Sequence, residues 1–308
     1  MPNISKINAV DIGNIAKVDG ATSSNIAKVD GLTIPSAAAT EPYLAYSVRQ
    51  LGATLGISYT GPCLRARRTS DGVEADVEFD SGVISLNSTI SNTSASETTF
   101  GDFVGHGGTP TDAIVTVWYD QSSTGINMED RNVSQAFQIY DATGGLSDLG
   151  GQPCLDGSHQ SLTFLKTVST ITMSTDSSVG YYLVGDHMSS GGTDYCIGYL
   201  TGNEGIRVTR YFGEGDLDSL VYTASGQWIM SAHTEGSTAS VYIDNSLNAS
   251  KTLTGTKQTA SNTLNIGMQG PYNAPWDGKI QEFLFYNSTS ISNRAVIATN
   301  QNSFFSVY

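Results

Sequence analysis

The chain has 308 residues, enough for one large domain or two modest ones with a real core. Ser and Thr together number 71, Gly adds 33, and 15 basic against 29 acidic side chains leave a net charge of −14. That balance argues against nucleic acid as a partner, because phosphate recognition needs clustered Lys and Arg, and no Lys stands between Lys28 and Lys166. A hydrophobic content of 39% with 15 Tyr and 10 Phe argues equally against a disordered chain.

No run approaches the ~18 consecutive apolar residues that would span a bilayer, so no membrane insertion is expected. The start of the chain has no basic segment followed by an apolar run, so no secretion signal is read and synthesis in a cytoplasm is expected. Cys63, Cys154 and Cys196 are too few and too far apart for a zinc site or a disulfide framework. They read as three separate thiols, with one pairing among them left open. No cofactor and no metal is expected.

The first predicted elements are repeats. Asn3-Ile4-Ser5-Lys6-Ile7-Asn8-Ala9 returns as Asn14-Ile15-Ala16-Lys17-Val18-Asp19-Gly20 and again as Asn25-Ile26-Ala27-Lys28-Val29-Asp30-Gly31, at a period of eleven. Eleven is also the period of a right-handed helical supercoil, but Asp-Gly at a fixed place is a turn signal, so strand–turn units are predicted. Three such units cannot bury a core alone and need a partner. Residues 1–40 therefore read as an oligomerisation and assembly anchor, gripped through Ile4, Ile7, Ile15, Val18, Ile26 and Val29, with 35–40 as a hinge. A flexible linker with accidental self-similarity is the alternative.

From residue 41 onward, short period-two runs alternate with Gly, Asn, Asp and Ser turns. Strands are predicted over 72–80, 113–119, 179–184, 205–212, 228–233, 239–244, 264–268 and 279–286. In the first of these, Ala75, Val77 and Phe79 share a core face. Glu74, Asp76, Glu78 and Asp80 share a solvated one, about 7 Å apart in succession. Their oxygens suit Ca²⁺, yet one strand cannot wrap an ion, and Arg65, Arg67 and Arg68 precede them to neutralise the face from a neighbouring strand. Helical patterning occurs only over 45–55 and 291–302. The predicted fold is all-β: an antiparallel β-sandwich over 41–308 behind the repeat segment 1–40.

In the block Trp118-Tyr119-Asp120-Gln121-Ser122, Asp120 is expected to fix a loop through backbone hydrogen bonds, with Trp118 or Tyr119 in the core. The common nucleophile, metalloprotease and phosphate-loop motifs are all missing. His106, His159, His187 and His233 stand far apart as loop or strand residues, Asp186-His187 reads as a surface dipeptide, and Asp216, Asp218 and Asp277 suit turns. Glu204, Glu235 and Glu282 are further carboxylates in the half that carries ligand loops in this kind of fold.

The strand order from Trp228 through Tyr242-Ile243-Asp244, Ile266-Gly267 and Gly278-Lys279-Ile280-Gln281-Glu282 to a terminal helix resembles the concanavalin A-like (laminin-G-like) jelly roll. Upstream, Ala45-Tyr46-Ser47-Val48-Arg49-Gln50-Leu51, Tyr59-Thr60-Gly61-Pro62, Arg65-Ala66-Arg67-Arg68-Thr69-Ser70-Asp71, Val117-Trp118-Tyr119-Asp120-Gln121-Ser122 and Gln152-Pro153 recur in an order similar to the catalytic domain of α-L-arabinofuranosidase B and its phage relatives. The phage proteins often carry short repeats like those of residues 3–31.

This resemblance implies a retaining glycosidase, which needs two carboxylates flanking the sugar. At the positions that match the family's nucleophile and acid, however, this chain has Val208 and Gln269, and only Cys196 stands where the family has adjacent cysteines. Hydrolysis is therefore not expected. The reading that remains is a bacteriophage virion protein, a tail fibre, spike or head decoration. It would be made in the host cytoplasm and trimeric through its repeats, contacting other virion proteins through residues 1–40. Its lectin-like domain would bind surface glycans through Tyr211, Tyr272, Asn273 and Trp276, where aromatic faces stack on sugar rings. The alternatives are an architectural capsid or tail subunit without a ligand, and an arabinofuranosidase-like hydrolase.

Overall fold

The structure, a computed structural model, describes residues 39–105, 108–130, 136–158, 163–173, 179–186, 197–199, 226–235, 238–252, 260–269, 274–275, 278–287 and 293–308, together with six two-residue strands within 6–33.

Those six strands form three antiparallel hairpins in identical register. Lys6–Ile7 pairs with Val10–Asp11, Lys17–Val18 with Ala21–Thr22, and Lys28–Val29 with Leu32–Thr33. Each hairpin leaves two residues between its strands, the spacing at which Asp-Gly promotes a tight turn. The eleven-residue period is thus a period of hairpins, as the Asp-Gly signal predicts. Ile7, Val18 and Val29 each stand next to that connection, opposite Val10, Ala21 and Leu32. Ile4, Ile15 and Ile26 lie outside the described residues.

The body is built from antiparallel strands in a sandwich-like arrangement. One sheet runs Leu44–Ser47, Lys279–Tyr286, Val179–Asp186, Trp228–Glu235, Thr238–Ile243 and Ser246–Thr252. The other runs Ile90–Ser91, Glu74–Val77, Leu64–Arg68, Ala113–Trp118, Met128–Glu129, Leu165–Thr167, Leu264–Ile266 and Ile197–Tyr199. Gln138–Asp141 pairs with the second sheet at Ala113–Ile114, and Leu155–Asp156 links it to Lys279–Ile280 of the first.

Period-two alternation sends Tyr46, Tyr181, Leu183, Phe283 and Phe285 inward from the first sheet to meet Leu64, Ala66, Val77, Val115 and Trp118 from the second. Tyr46 packs at 5.8 Å from Trp118 and 6.3 Å from Phe283, ring centre to ring centre. The opposite face of the first sheet, with Ala45, Tyr182, Leu284 and Tyr286, packs against Leu51, Leu55, Ile57 and Ile297 in a second apolar cluster. Gly267 ends the Leu264–Ile266 strand at a φ of +96°, where a Cβ would strike the Thr163 carbonyl and the Phe137 ring. No other residue type fits there without strain.

Two expectations need correction. Residues 45–55 are not a helix: Leu44–Ser47 is a strand, and only Ala53–Leu55 turns, as a 3₁₀ segment. All four strand residues are fully buried because both faces of the sheet are covered, so the period-two signal is lost. Asp76 is not on a solvated face either, being 6% exposed and held by Arg65. The terminal helix is present, displaced to Arg294–Phe305. The predicted strand over 205–212 lies outside the described residues.

Candidate functional site

The residues expected to bind glycans, Tyr211, Tyr272, Asn273 and Trp276, lie outside the described residues. Their flanking backbone is described: Met268–Gln269 pairs with Ala274–Pro275, so the short 270–273 segment connects two antiparallel strands. Val208, Cys196, Glu204, Asp216, Asp218 and Asp277, with His106, His159 and His187, also lie outside; of Gln269 and Glu235 only the backbone is described.

The buried carboxylates spend themselves on the scaffold. Glu282, fully buried, receives Arg49 Nε at 2.7 Å and Nη2 at 3.1 Å, and the Ser47 hydroxyl at 2.8 Å. Asp76 accepts from Arg65 at 2.8 and 3.1 Å, from the Tyr119 hydroxyl at 2.6 Å and from Asn92 at 3.0 Å. Burial pushes the Asp76 carboxyl up, but these three donors together hold it below the usual carboxylate range. Arg65 thus neutralises the acidic strand from its neighbour, as expected, while Arg68 turns to Asp71 and Glu97.

Asp120 does hold a loop. Its Oδ1 accepts from Ala45 N and Ser122 N, and its Oδ2 from Ile126 N and the hydroxyls of Ser122 and Thr124. The 122–126 turn is thereby tied to the Leu44–Ser47 strand, with Trp118 in the core and Tyr119 outside it on Asp76. Beside this turn lies a recess of about 200 Å³ lined by Thr40, Glu41, Tyr43, Ser123, Thr124 and Tyr286, with Pro42 and Asn287 completing the wall. Sequence reasoning missed this recess because its walls lie up to 247 positions apart; the Asp120 block was its one visible trace.

Beneath the terminal helix, His233 is 3% exposed and packs against Tyr182, ring centres 5.0 Å apart, and against Tyr242 at 6.1 Å. Burial, seconded by the nearby Arg294 charge, lowers its pKa to about 4, so it stands neutral. Among the described residues, no three His, Cys, Asp or Glu side chains cluster to hold a metal ion, and no helix is long and apolar enough to cross a membrane. Cys63 and Cys154 are free, buried thiols.

Comparison with known proteins agrees with this geometry. The model of the concanavalin A-like lectin/glucanases superfamily matches residues 165–293. The fold is the concanavalin A-like jelly roll. A mutant of GH54 α-L-arabinofuranosidase soaked with 4-nitrophenyl α-L-arabinofuranoside superposes at a TM-score of 0.57 and 14% identity, over 84% of this chain and 62% of that one. An arabinofuranosidase complexed with arabinofuranosyl-α-1,2-xylobiose gives 0.54 and 16% over the same shares. This chain therefore spans 62% of the length of those enzymes, and at such identity the likeness is one of fold. No curated protein matches the chain in sequence.

Proposed function

We propose that this chain is a lectin-like, glycan-binding jelly roll carried on a bacteriophage particle. Residues 1–40 attach it to other virion proteins and join three copies through their hairpins; Tyr211, Tyr272, Asn273 and Trp276 meet the glycan. Its superfamily is shared by lectins and glucanases, and its fold neighbours act on arabinofuranosides, which supports a carbohydrate ligand. One observation carries binding over hydrolysis. Val208 and Gln269 stand where the resembled enzymes have the two carboxylates that a retaining glycosidase needs, and among the described residues the buried carboxylates Glu282, Asp76 and Asp120 are each committed to Arg, Tyr, hydroxyl or backbone partners. Two-residue strands are too short to be stable as lone hairpins, which supports assembly through the repeats.

The test is the full chain against a panel of bacterial and algal polysaccharides, with binding and released sugar read from the same samples and the mass of the free protein measured. Binding without release, by a trimer, is the expected result. Released sugar would make the chain a hydrolase. Absence of binding would leave an architectural subunit, and a monomer would remove the hairpins' role in assembly.

A further inference from the structure

The terminal helix covers the face of the first sheet that lies away from the core, and that contact is polar at its heart. Ile297, Gln301 and Phe305 recur four apart on one buried face of the helix, with Ala298 beside them. Ile297 packs in one cluster with Tyr182, Leu284 and Tyr286 of the sheet. Among these apolar contacts are polar atoms sealed from water. The Tyr182 and Tyr286 hydroxyls, His233 Nε2 and both polar atoms of the Gln301 side chain have no hydrogen-bond partner among the described residues. Each is an unfavourable burial that undocking would relieve. Among the described residues, only side chains bond the helix to the sandwich. Arg49 Nη2 donates to Asn300, and Arg294 donates to Asn245 and lies 3.8 Å from the centre of the Tyr242 ring. The helix can therefore leave without breaking a backbone ladder of either sheet.

His233 is the titratable group at this contact, and its surroundings refuse a proton. Gly180 stands directly opposite it on the neighbouring strand, so close that a Cβ there would lie 3.2 Å from the ring. Tyr182 of that strand stands edge-on at 5.0 Å, Tyr286 backs Tyr182 at 5.4 Å, and Tyr242 closes the other side at 6.1 Å. Burial pushes the Tyr182 and Tyr286 hydroxyls up, so neither supplies a negative charge. From the helix, Arg294 adds a positive one. A proton on the docked ring thus meets a cation and no acceptor, whereas the ring of an undocked state reaches water. Proton binding and helix docking therefore oppose each other. The sign follows from the depressed pKa of about 4: docking is fully favoured above pH 6.5 and weakens as pH falls towards 4.

We infer that the helix Arg294–Phe305 is an acid-released cover: protonation of His233 lifts it from the first sheet and bares Tyr182, Leu284 and Tyr286, while the core between the two sheets stays folded. The experiment is hydrogen exchange on the full chain at pH 7 and pH 4.5, with protection corrected for the intrinsic pH dependence of exchange. Amides of the helix should lose protection about tenfold or more at pH 4.5, and those of Leu64–Arg68 and Ala113–Trp118 should keep theirs. The His233 ring signals in NMR should titrate with the same midpoint as the helix release. His233→Phe should hold the helix in place at pH 4.5. Glu235 stands two positions further along the same strand, and Glu235→Gln should leave the release unchanged. Helix protection that persists in the wild type at pH 4.5 overturns the inference, as does its loss together with that of Ala113–Trp118. So does release that survives in His233→Phe, or that disappears in Glu235→Gln. Should His233→Phe fail to fold, the wild-type midpoints decide, and a separation of more than about one pH unit between ring titration and helix release overturns the inference.

Discussion

Arg49 and Glu282, 233 positions apart, form a two-pronged ion pair that is 9% and 0% exposed at its side chains. The pair joins three elements: Glu282 also takes the Ser47 hydroxyl, and Arg49 Nη2 donates to Asn300 of the terminal helix at 2.6 Å. The guanidinium lies 5.1 Å from the Phe304 ring and 5.4 Å from the Phe305 ring, so its charge is sheltered by the helix it anchors.

Removing one partner strands the other. Glu282→Ala should cost about 3–5 kcal/mol, read as a lowered urea midpoint with the slope unchanged. Replacing both, as Arg49→Met with Glu282→Leu, should cost far less, because no buried charge is then left alone. A double change as damaging as the single one would show that the pair's other contacts, to Ser47 and Asn300, carry the stability.

Asp120 acts on a smaller scale. In Asp120→Asn the atom replacing Oδ2 becomes a donor if Oδ1 keeps Ala45 N and Ser122 N, and it then meets the Ile126 N–H without an acceptor. A loss of about 2 kcal/mol is expected. Hydrogen exchange at Ile126 should accelerate more than exchange across the Lys279–Tyr286 strand; equal acceleration would mean that the turn is not held locally.

Acid should unfold the protein in two windows. His233 has a folded pKa of about 4, below its ordinary 6.5, so the folded state favours the neutral ring. Its contribution is full above pH 6.5 and is lost as pH falls from 6.5 towards 4, on the order of 3 kcal/mol in all. Asp76 is also depressed, so its contribution persists above its ordinary 3.8 and disappears only at lower pH. His233→Phe should flatten the upper window and leave the lower one. A stability that still falls between pH 6.5 and 4 in that variant would assign the upper window to another group.

Cys63 and Cys154 should be silent to thiol reagents. Both are fully buried, and burial pushes both thiols up, so little thiolate forms at neutral pH. The native protein should label at no more than one cysteine, Cys196, and at all three only in denaturant. Prompt native labelling at Cys63 would mean that the sandwich opens where Leu64 pairs with Trp118.

Local periodicity was legible where one face of a strand or one turn carried it. The hairpins of residues 6–33 follow from Asn-Ala and then Asp-Gly at a fixed spacing, and the 113–118, 179–186, 228–235 and 279–286 strands from longer runs of β-branched and aromatic residues with turn residues at their ends. The role of Asp120 was legible for the same reason, since most of its bonds reach only two to six residues along the chain. Leu44–Ser47 was not, because four residues covered on both faces offer neither a polar face nor a run long enough to mark a strand. Nor was the burial of Asp76, the Arg49–Glu282 pair, or the recess that unites Glu41 with Tyr286. The sequence by itself determined the alternation, the turns and the charge that make this an antiparallel β chain with a repeat at its head. Which polar groups are withdrawn from water was decided only when distant segments packed, because burial belongs to a residue's neighbours in space and not to those along the chain.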